Sequence, residues 1–112
     1  ERKGDIVEAR DGVATLAGDG FSVSGVARSG AVSGAPGVAM IRLECVRIAD
    51  APGANRIAAR LVTSMYVGER VEHLFEVGKD RLRAYGDVAL EAGATYHVEL
   101  PRDSLWIFRA GA

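Results

Sequence analysis

The sequence has 112 residues, of which 48% are apolar, and its 14 basic and 15 acidic residues give a net charge of -1. This balance excludes the strongly basic surface that steers a protein to nucleic acid or anionic lipid. The single cysteine, Cys45, excludes an intrachain disulfide and is typical of a reducing compartment. No apolar run reaches the roughly 18 residues of a membrane-spanning helix, and no signal segment is recognisable. Because the chain begins at Glu1 rather than Met, we expect it to be part of a longer polypeptide.

The apolar content is rich in small side chains, since eighteen residues are alanine and only seven are aromatic. A methyl group buries little area, and burial stabilises by roughly 25 cal/mol per Å² of apolar surface. We therefore expect one small domain with a modest core, stabilised further by contact with a second copy or with the rest of a longer polypeptide.

The first half of the chain predicts short strands at residues 6–10, 13–17 and 21–26. They are separated by Asp11-Gly12 and by the Gly18 to Gly20 segment, both typical of hairpin turns. A surface loop is expected over residues 29–37, which hold three glycines and a proline. The last prediction in this half is a longer strand over residues 38–48, with Ile41, Leu43 and Cys45 on one face.

The chain divides at residues 49–54, a stretch of small and turn-forming residues. We interpret this stretch as a connector inside a single domain that spans residues 1–112. On this interpretation the first half covers residues 1–48 and the second half covers residues 55–112.

The second half shows the clearer alternation of apolar and polar residues. Residues 71–77 and 95–100 each alternate with a period of two, which predicts half-buried strands. Residues 55–67 are ambiguous, because Ile57, Leu61 and Met65 also fall at helical spacing behind a possible Asn55 cap. The unbroken alternation from Ile57 to Val67 favours a strand slightly.

Many short strands, frequent turn signals and the lack of a clear amphipathic helix predict an all-β protein. At this length the expected architecture is an OB-like antiparallel β-barrel with little or no helix.

Several short motifs resemble the TOBE domain at the C-terminus of the ATP-binding subunit of ABC importers of the polyamine and ferric-ion type. An opening Gly4-Asp5-Ile6-Val7 and a Met40 to Glu44 element, with Leu43 where Pro is usual, resemble the first half of the family pattern. The following residues resemble the second half of the family pattern in order and roughly in spacing: Asn55, Ile57, Val62, Tyr66-Val67-Gly68, Phe75-Glu76-Val77, Gly93, Tyr96, Val98 and Asp103.

The resemblance implies a TOBE- or MOP-like barrel that acts as a noncatalytic regulatory or dimerisation domain and supports ATP-driven uptake of a small solute. It also implies that the nucleotide-binding domain precedes this chain in the same polypeptide, and that the domain forms a homodimer. Through these contacts the domain would be linked indirectly to the importer's membrane subunits, in the cytoplasm at the inner face of the membrane. The motifs point to no nucleic-acid partner.

Two groups of residues are candidate interface or ligand contacts. Arg42 and Glu44 lie two apart on the predicted strand 38–48, where they would pair with neighbouring charges and fix the strand register. The second group surrounds the turn after residues 55–67 and consists of Tyr66, Gly68, Glu69 and Arg70. Gly68 is expected to supply the positive φ that this turn needs.

The sequence predicts no catalytic, cofactor-binding or metal-binding residues. His73 and His97 lie on predicted strands far from Cys45, without the spacing of metal ligands. No nucleophile motif and no GxxxxGK[ST] phosphate loop occurs, so this chain is not expected to be an enzyme.

Two alternatives remain open. One is an oxyanion-binding module like the molbindins, although the late lysine of that family is missing, because the last lysine is Lys79. The other is an OB domain for single-stranded nucleic acid, which would need more outward aromatics and a basic groove.

Overall fold

The computed structural model describes residues 2–111 and is all-β, as the sequence predicts. The ten strands are β1 (Arg2–Arg10), β2 (Val13–Gly18), β3 (Phe21–Ala27), β4 (Pro36–Met40), β5 (Arg47–Ala49), β6 (Arg56–Val67), β7 (Arg70–Val77), β8 (Asp80–Gly86), β9 (Thr95–Glu99) and β10 (Trp106–Arg109). The helical residues in this range form two single-turn 3-10 segments, Leu43–Cys45 and Arg102–Ser104. None of the helical residues described forms a segment long and apolar enough to cross a membrane.

Five strands close into an OB-like barrel in the order β1-β2-β3-β10-β4, and β4 pairs back onto β1. β10 fills the seam between β3, to which it is parallel, and β4, to which it is antiparallel. The other neighbours in the barrel pair antiparallel. The turn Asp11-Gly12 joins β1 to β2 with positive φ at both residues, which confirms the hairpin predicted there.

The barrel interior is narrow, and glycine permits the close approach of its strands. A Cβ built on Gly37 of β4 would lie 2.6 Å from Ile6 Cγ1 and 2.7 Å from Leu16 Cδ1. Both of these side chains are buried, so neither has room to move away. The barrel is therefore closed around small residues, in keeping with the alanine- and glycine-rich composition.

The other five strands form a curled antiparallel sheet in the order β5-β9-β6-β7-β8. β7 shows the alternation predicted from the sequence, with Val71, His73, Phe75 and Val77 all buried. Phe75 packs edge-on against Tyr96 of β9, with ring centroids 6.2 Å apart. Its ring lies in the hydrophobic core that the curled sheet shares with the barrel.

Asn55 joins the two halves of the molecule. Its Oδ1 accepts a hydrogen bond from the backbone N–H of Ser24 at 2.8 Å, and its Nδ2 donates to the carbonyl oxygen of Ser24 at 2.6 Å. The same Nδ2 donates to the carbonyl oxygen of Leu100 at 2.8 Å. The side-chain amide thus both accepts a hydrogen bond from β3 of the barrel and donates one to it. A peptide group of a neighbouring strand would make the same two bonds. Asn55 itself adopts φ 56°, a left-handed conformation that asparagine tolerates better than most residues.

β6 is a strand, as the alternation favoured, but its predicted unbroken face is interrupted. The register between β6 and β7 shifts between Leu61 and Thr63, where a bulge inserts one residue. An extra residue moves every later side chain to the opposite face of the sheet. Ile57, Ala59 and Leu61 are therefore buried, whereas Met65 and Val67 are exposed.

The predicted strand over residues 38–48 is wrong in its length. β4 ends at Met40, the chain makes a 3-10 turn at Leu43–Cys45, and β5 begins at Arg47. This break lets the chain leave the barrel and enter the curled sheet, since β5 pairs with β9. The strand β8, which the sequence analysis does not predict, completes the far side of that sheet by pairing with β7.

Arg2 is a buried charge at the start of β1. Its guanidinium lies 4.7 Å from the centroid of the Phe21 ring and 3.7 Å from Asp80 Oδ2. Burial lowers the pKa of Arg2 from its ordinary value, and the nearby Asp80 carboxylate partly opposes that shift. The packing against Phe21 holds the first residues of the described chain against the barrel.

Candidate functional site

The predicted contact residues lie at two separate places. Tyr66, Gly68, Glu69 and Arg70 surround the hairpin that joins β6 to β7, whereas Arg42 and Glu44 lie at the 3-10 turn after β4. Glu69 and Arg70 line one surface cavity and Arg42 lines another, and the two cavities share no lining residue. The structure therefore keeps each group together but does not bring the two groups into one site.

The hairpin end, which we define as residues 65–70 together with Val88, is an exposed apolar region. Tyr66 is 73% exposed, Met65 is 58% exposed and Val88 is 65% exposed. The bulge in β6 places Met65 and Val67 on the outer face, and Val88 follows β8 at the same end of the sheet. Tyr66 alternates with Met65 and Val67 along β6, so exposed apolar side chains occur on both faces of this end of the sheet, which is typical of a contact surface.

The turn at the hairpin end is tight, and its charged residues are held in place. Gly68 has φ 64°, which confirms the predicted need for glycine at this turn. The guanidinium of Arg70 lies 4.5 Å from the centroid of the Tyr85 ring on β8. This cation–π contact orients Arg70 beside Glu69, so that opposite charges stand next to each other at the tip.

The second place is a groove of about 470 Å³ on the outer face of the barrel, which we call the aromatic groove. Its apolar wall consists of Met40, Ile41, Trp106 and Phe108. Met40 and Trp106 are direct cross-strand neighbours on β4 and β10 and are 47% and 46% exposed. The Trp106 and Phe108 rings meet edge to face, with centroids 6.3 Å apart.

The polar rim of the aromatic groove is formed by Arg42, Cys45, Asp103 and Ser104. These residues come from the two 3-10 segments and their flanks, which closure of the barrel by β10 brings together. A further cation, the guanidinium of Arg28, lies 4.5 Å from the centroid of the Trp106 ring. The groove therefore combines an aromatic wall with Arg42 and Asp103, and Arg28 adds a second guanidinium beside it.

The predicted role of Arg42 and Glu44 in fixing strand register is not observed. Neither residue lies on a strand, and neither takes part in a salt bridge within residues 2–111. Direct cross-strand ion pairs instead occur in the curled sheet, between Arg56 and Glu99 at 2.8 Å and between Arg60 and Glu76 at 3.1 Å. Charge pairing therefore supports register in that sheet.

A half-buried serine and a buried histidine lie side by side in the curled sheet. Ser64 Oγ and His73 Nδ1 are 2.8 Å apart, and the backbone N–H of Leu90 points to Ser64 Oγ at 3.4 Å. Desolvation lowers the pKa of His73. A nucleophilic serine needs an acid to orient the histidine, but Nε2 of His73 lies against the backbone of Gly86. The geometry fits a structural hydrogen bond between β6 and β7.

Metal ligation has no support in the part of the chain that the structure describes. No group of three or more histidine, cysteine, aspartate or glutamate side chains is close enough there to hold a metal ion. His97 lies half-buried on β9, where it faces Ala58 of β6 across the strands.

Comparisons with known proteins do not assign the chain to a family. No protein-family model matches it, and no curated protein shows significant sequence similarity to it. A functional proposal therefore depends on the geometry of the two surfaces. The resemblance to TOBE domains stays an expectation from the sequence.

Sequence reasoning identified Arg42 but missed the aromatic groove around it. Trp106 and Phe108 follow the last predicted strand, residues 95–100, and they are more than 60 residues from Met40. Pairing of β10 with β4 makes them neighbours. The one available signal was that the alternation at the end of the chain leaves two aromatics on the face opposite Ile107.

Proposed function

We propose that this chain is a noncatalytic contact domain of the TOBE type, which joins two copies of a longer ABC importer ATPase. The observation that carries the proposal is the hairpin end, where Met65, Tyr66 and Val88 are more than half exposed. Such a surface gains stability when a partner covers it.

The charges at the hairpin end suit contact with an identical copy. In a twofold contact the same patch faces itself, so each residue meets the residues of its own patch. Glu69 and Arg70 have opposite charges and are adjacent at the tip. Two hairpins that meet about a twofold axis can therefore place Glu69 beside the partner's Arg70. Because Arg70 already rests on Tyr85, little side-chain entropy is lost on contact.

The shared core supports a mechanical role. The barrel and the curled sheet share one hydrophobic cluster and are joined by the hydrogen bonds of Asn55. A rigid body of this kind transmits a displacement from one end to the other. In the proposed setting it holds two nucleotide-binding domains near each other while they open and close with ATP.

Sedimentation of the 112-residue chain over a rising concentration series tests the contact. We expect self-association, and we expect Tyr66→Glu to weaken it at least about tenfold, because a charge is then buried at the contact. Val32→Glu is the matched control, since Val32 is 52% exposed on the loop before β4, away from the hairpin end. A monomeric wild-type chain at the highest concentration, or equal weakening by both variants, contradicts the proposal.

The wider setting is tested by reading the coding sequence on either side of this stretch. We expect a GxxxxGK[ST] phosphate loop upstream in the same reading frame, because the proposed parent protein binds ATP. A reading frame that encodes no nucleotide-binding domain would contradict the importer setting while leaving the self-association result intact.

A further inference from the structure

The aromatic groove has the size and the wall of a small-molecule site. Its volume of about 470 Å³ falls within the range of ligand pockets, which is roughly 300–1,000 Å³. Met40, Trp106 and Phe108 supply the apolar and aromatic surface. The groove shares no residue with the hairpin end, so this inference stands apart from the proposed function.

Recognition in the groove depends on side chains. β4 is paired with β1 on one side and β10 on the other, and β10 is paired with β3 and β4. Because the backbone groups of these strands are used within the barrel, an added strand of a partner has no free edge to pair with. What the groove offers is ring surface, together with the charged and hydroxyl groups of its rim.

The charges favour an anion. Arg42 lines the groove and makes no salt bridge within residues 2–111, and the Arg28 guanidinium lies over the Trp106 ring. Within the lining, the charges of Arg42 and Asp103 balance, and Arg28, which lies over Trp106 outside the lining, adds one positive charge beside the groove. A guanidinium binds a carboxylate through two parallel hydrogen bonds, a geometry that other cations do not offer.

We propose that the aromatic groove binds a small ring-bearing carboxylate. The ring packs on Trp106, Phe108 and Met40, and the carboxylate is held by Arg42. Binding is non-covalent and requires no metal or cofactor.

The chain carries its own reporters for this site. Trp106 is the single tryptophan and Cys45 is the single cysteine, and both line the groove. Tryptophan emission therefore reports on this groove directly. The rate at which iodoacetamide alkylates Cys45, followed by mass spectrometry, gives a second reading that does not depend on fluorescence.

The test titrates the 112-residue chain with phenylacetate and with three matched probes. 2-Phenylethanol lacks the charge, phenethylamine reverses it, and acetate lacks the ring. We expect phenylacetate to change Trp106 emission saturably at roughly millimolar concentration and to slow Cys45 alkylation, as befits a ligand of this size. The three matched probes should bind at least about tenfold more weakly.

Variants then assign the charge contact. Arg42→Gln should weaken phenylacetate binding about tenfold, whereas Arg10→Gln, at an exposed arginine on β1 outside the groove, should leave it unchanged. Tyr66→Glu should also leave phenylacetate binding unchanged, which separates this inference from the proposed self-association.

Four results would overturn the proposal. The first is phenylethanol binding as tightly as phenylacetate, and the second is an unchanged affinity in Arg42→Gln. The third is an equal response to molybdate or sulfate alone, which would assign the site to an inorganic oxyanion. The fourth is a change in Trp106 emission with protein concentration and none with phenylacetate, which would make the groove an interface between copies.

Discussion

The barrel and the curled sheet each contain five strands, but different interactions specify them. In the barrel, glycines and alanines let the strands close around Ile6, Leu16 and Ile107, and β10 leaves no seam between β3 and β4. In the curled sheet, larger side chains such as Phe75 fill the interior, and ion pairs and a Ser–His hydrogen bond connect neighbouring strands. The comparison teaches that close packing dominates in the barrel, where Thr15 and Ser24 share one cross-strand hydrogen bond, whereas ion pairs between strands add specificity to the sheet.

Substitution of Asn55, which joins the barrel to the curled sheet, should change the stability of the protein most. Replacement of Asn55 by Ala removes three hydrogen bonds to backbone groups of Ser24 and Leu100. We expect the free energy of unfolding to fall by about 2–4 kcal/mol, because partly buried backbone groups lose their partners. Urea denaturation measures this change.

Asn55→Gly separates the two contributions at this residue. Glycine adopts φ 56° without strain, so it should be about 1 kcal/mol more stable than the Ala variant, although it lacks the same three bonds. If Asn55→Ala costs less than about 0.5 kcal/mol, the side-chain amide does not join the two parts.

The barrel is tested by one added methyl group. Gly37→Ala places a Cβ against Ile6 and Leu16 in an interior that has no spare volume. We expect a loss of about 1–3 kcal/mol of stability, because overpacking forces the strands apart. Thermal unfolding followed by circular dichroism measures it.

Gly53→Ala is the control for this prediction. An added Cβ there would lie 3.2 Å from the flexible Cδ of Arg56, which can move aside, and Gly53 is exposed. Equal losses of stability in the two variants would contradict the prediction, because the shape of the barrel interior would then not explain the loss at Gly37.

The pH dependence of stability tests the curled sheet, and we expect it to change stability less than Asn55→Ala or Gly37→Ala does. Burial lowers the pKa of His73 below its ordinary value of about 6.5, so the unfolded chain binds a proton more readily than the folded chain. The contribution of His73 to stability is therefore complete above pH 6.5, and it is lost as the pH falls below 6.5 toward the lowered pKa of the folded state. Urea midpoints should be lower at pH 5.5 than at pH 7.5.

His73→Gln should flatten this dependence, because it removes the titrating group. His97→Gln on β9 serves as the matched control for loss of a histidine. A dependence on pH that stays unchanged in His73→Gln would show that the Ser64–His73 pair does not cause it.

The sequence was sufficient to predict the class of fold, because its strongest signals are local. Alternation in β7, and the glycines of the turns at Asp11-Gly12 and Gly68, each depend on a few consecutive residues, and all were confirmed. The bulge in β6 was not predictable from these signals. Its position depends on pairing with β7, and Ile57 to Val67 alternates without a break.

The candidate site was predicted only in part, for a related reason. The residues around Gly68 are contiguous, so a pattern in the sequence kept them together. The aromatic groove depends on Met40 and Trp106 becoming neighbours across β4 and β10. β8 was not predicted because its buried position carries the small residue Ala84, which gives a weak apolar signal.

The position of β10 also has a consequence for how the protein is made. Residues 47–99 contain every strand of the curled sheet, so that sheet can assemble from one continuous segment. Four of the five barrel strands lie within the first 40 residues. The gap between β3 and β4 stays open until residues 106–109, which form β10, have left the ribosome. Closure of the barrel should therefore wait until β10 inserts between strands translated long before it, a slow step because its partners are far apart in the sequence.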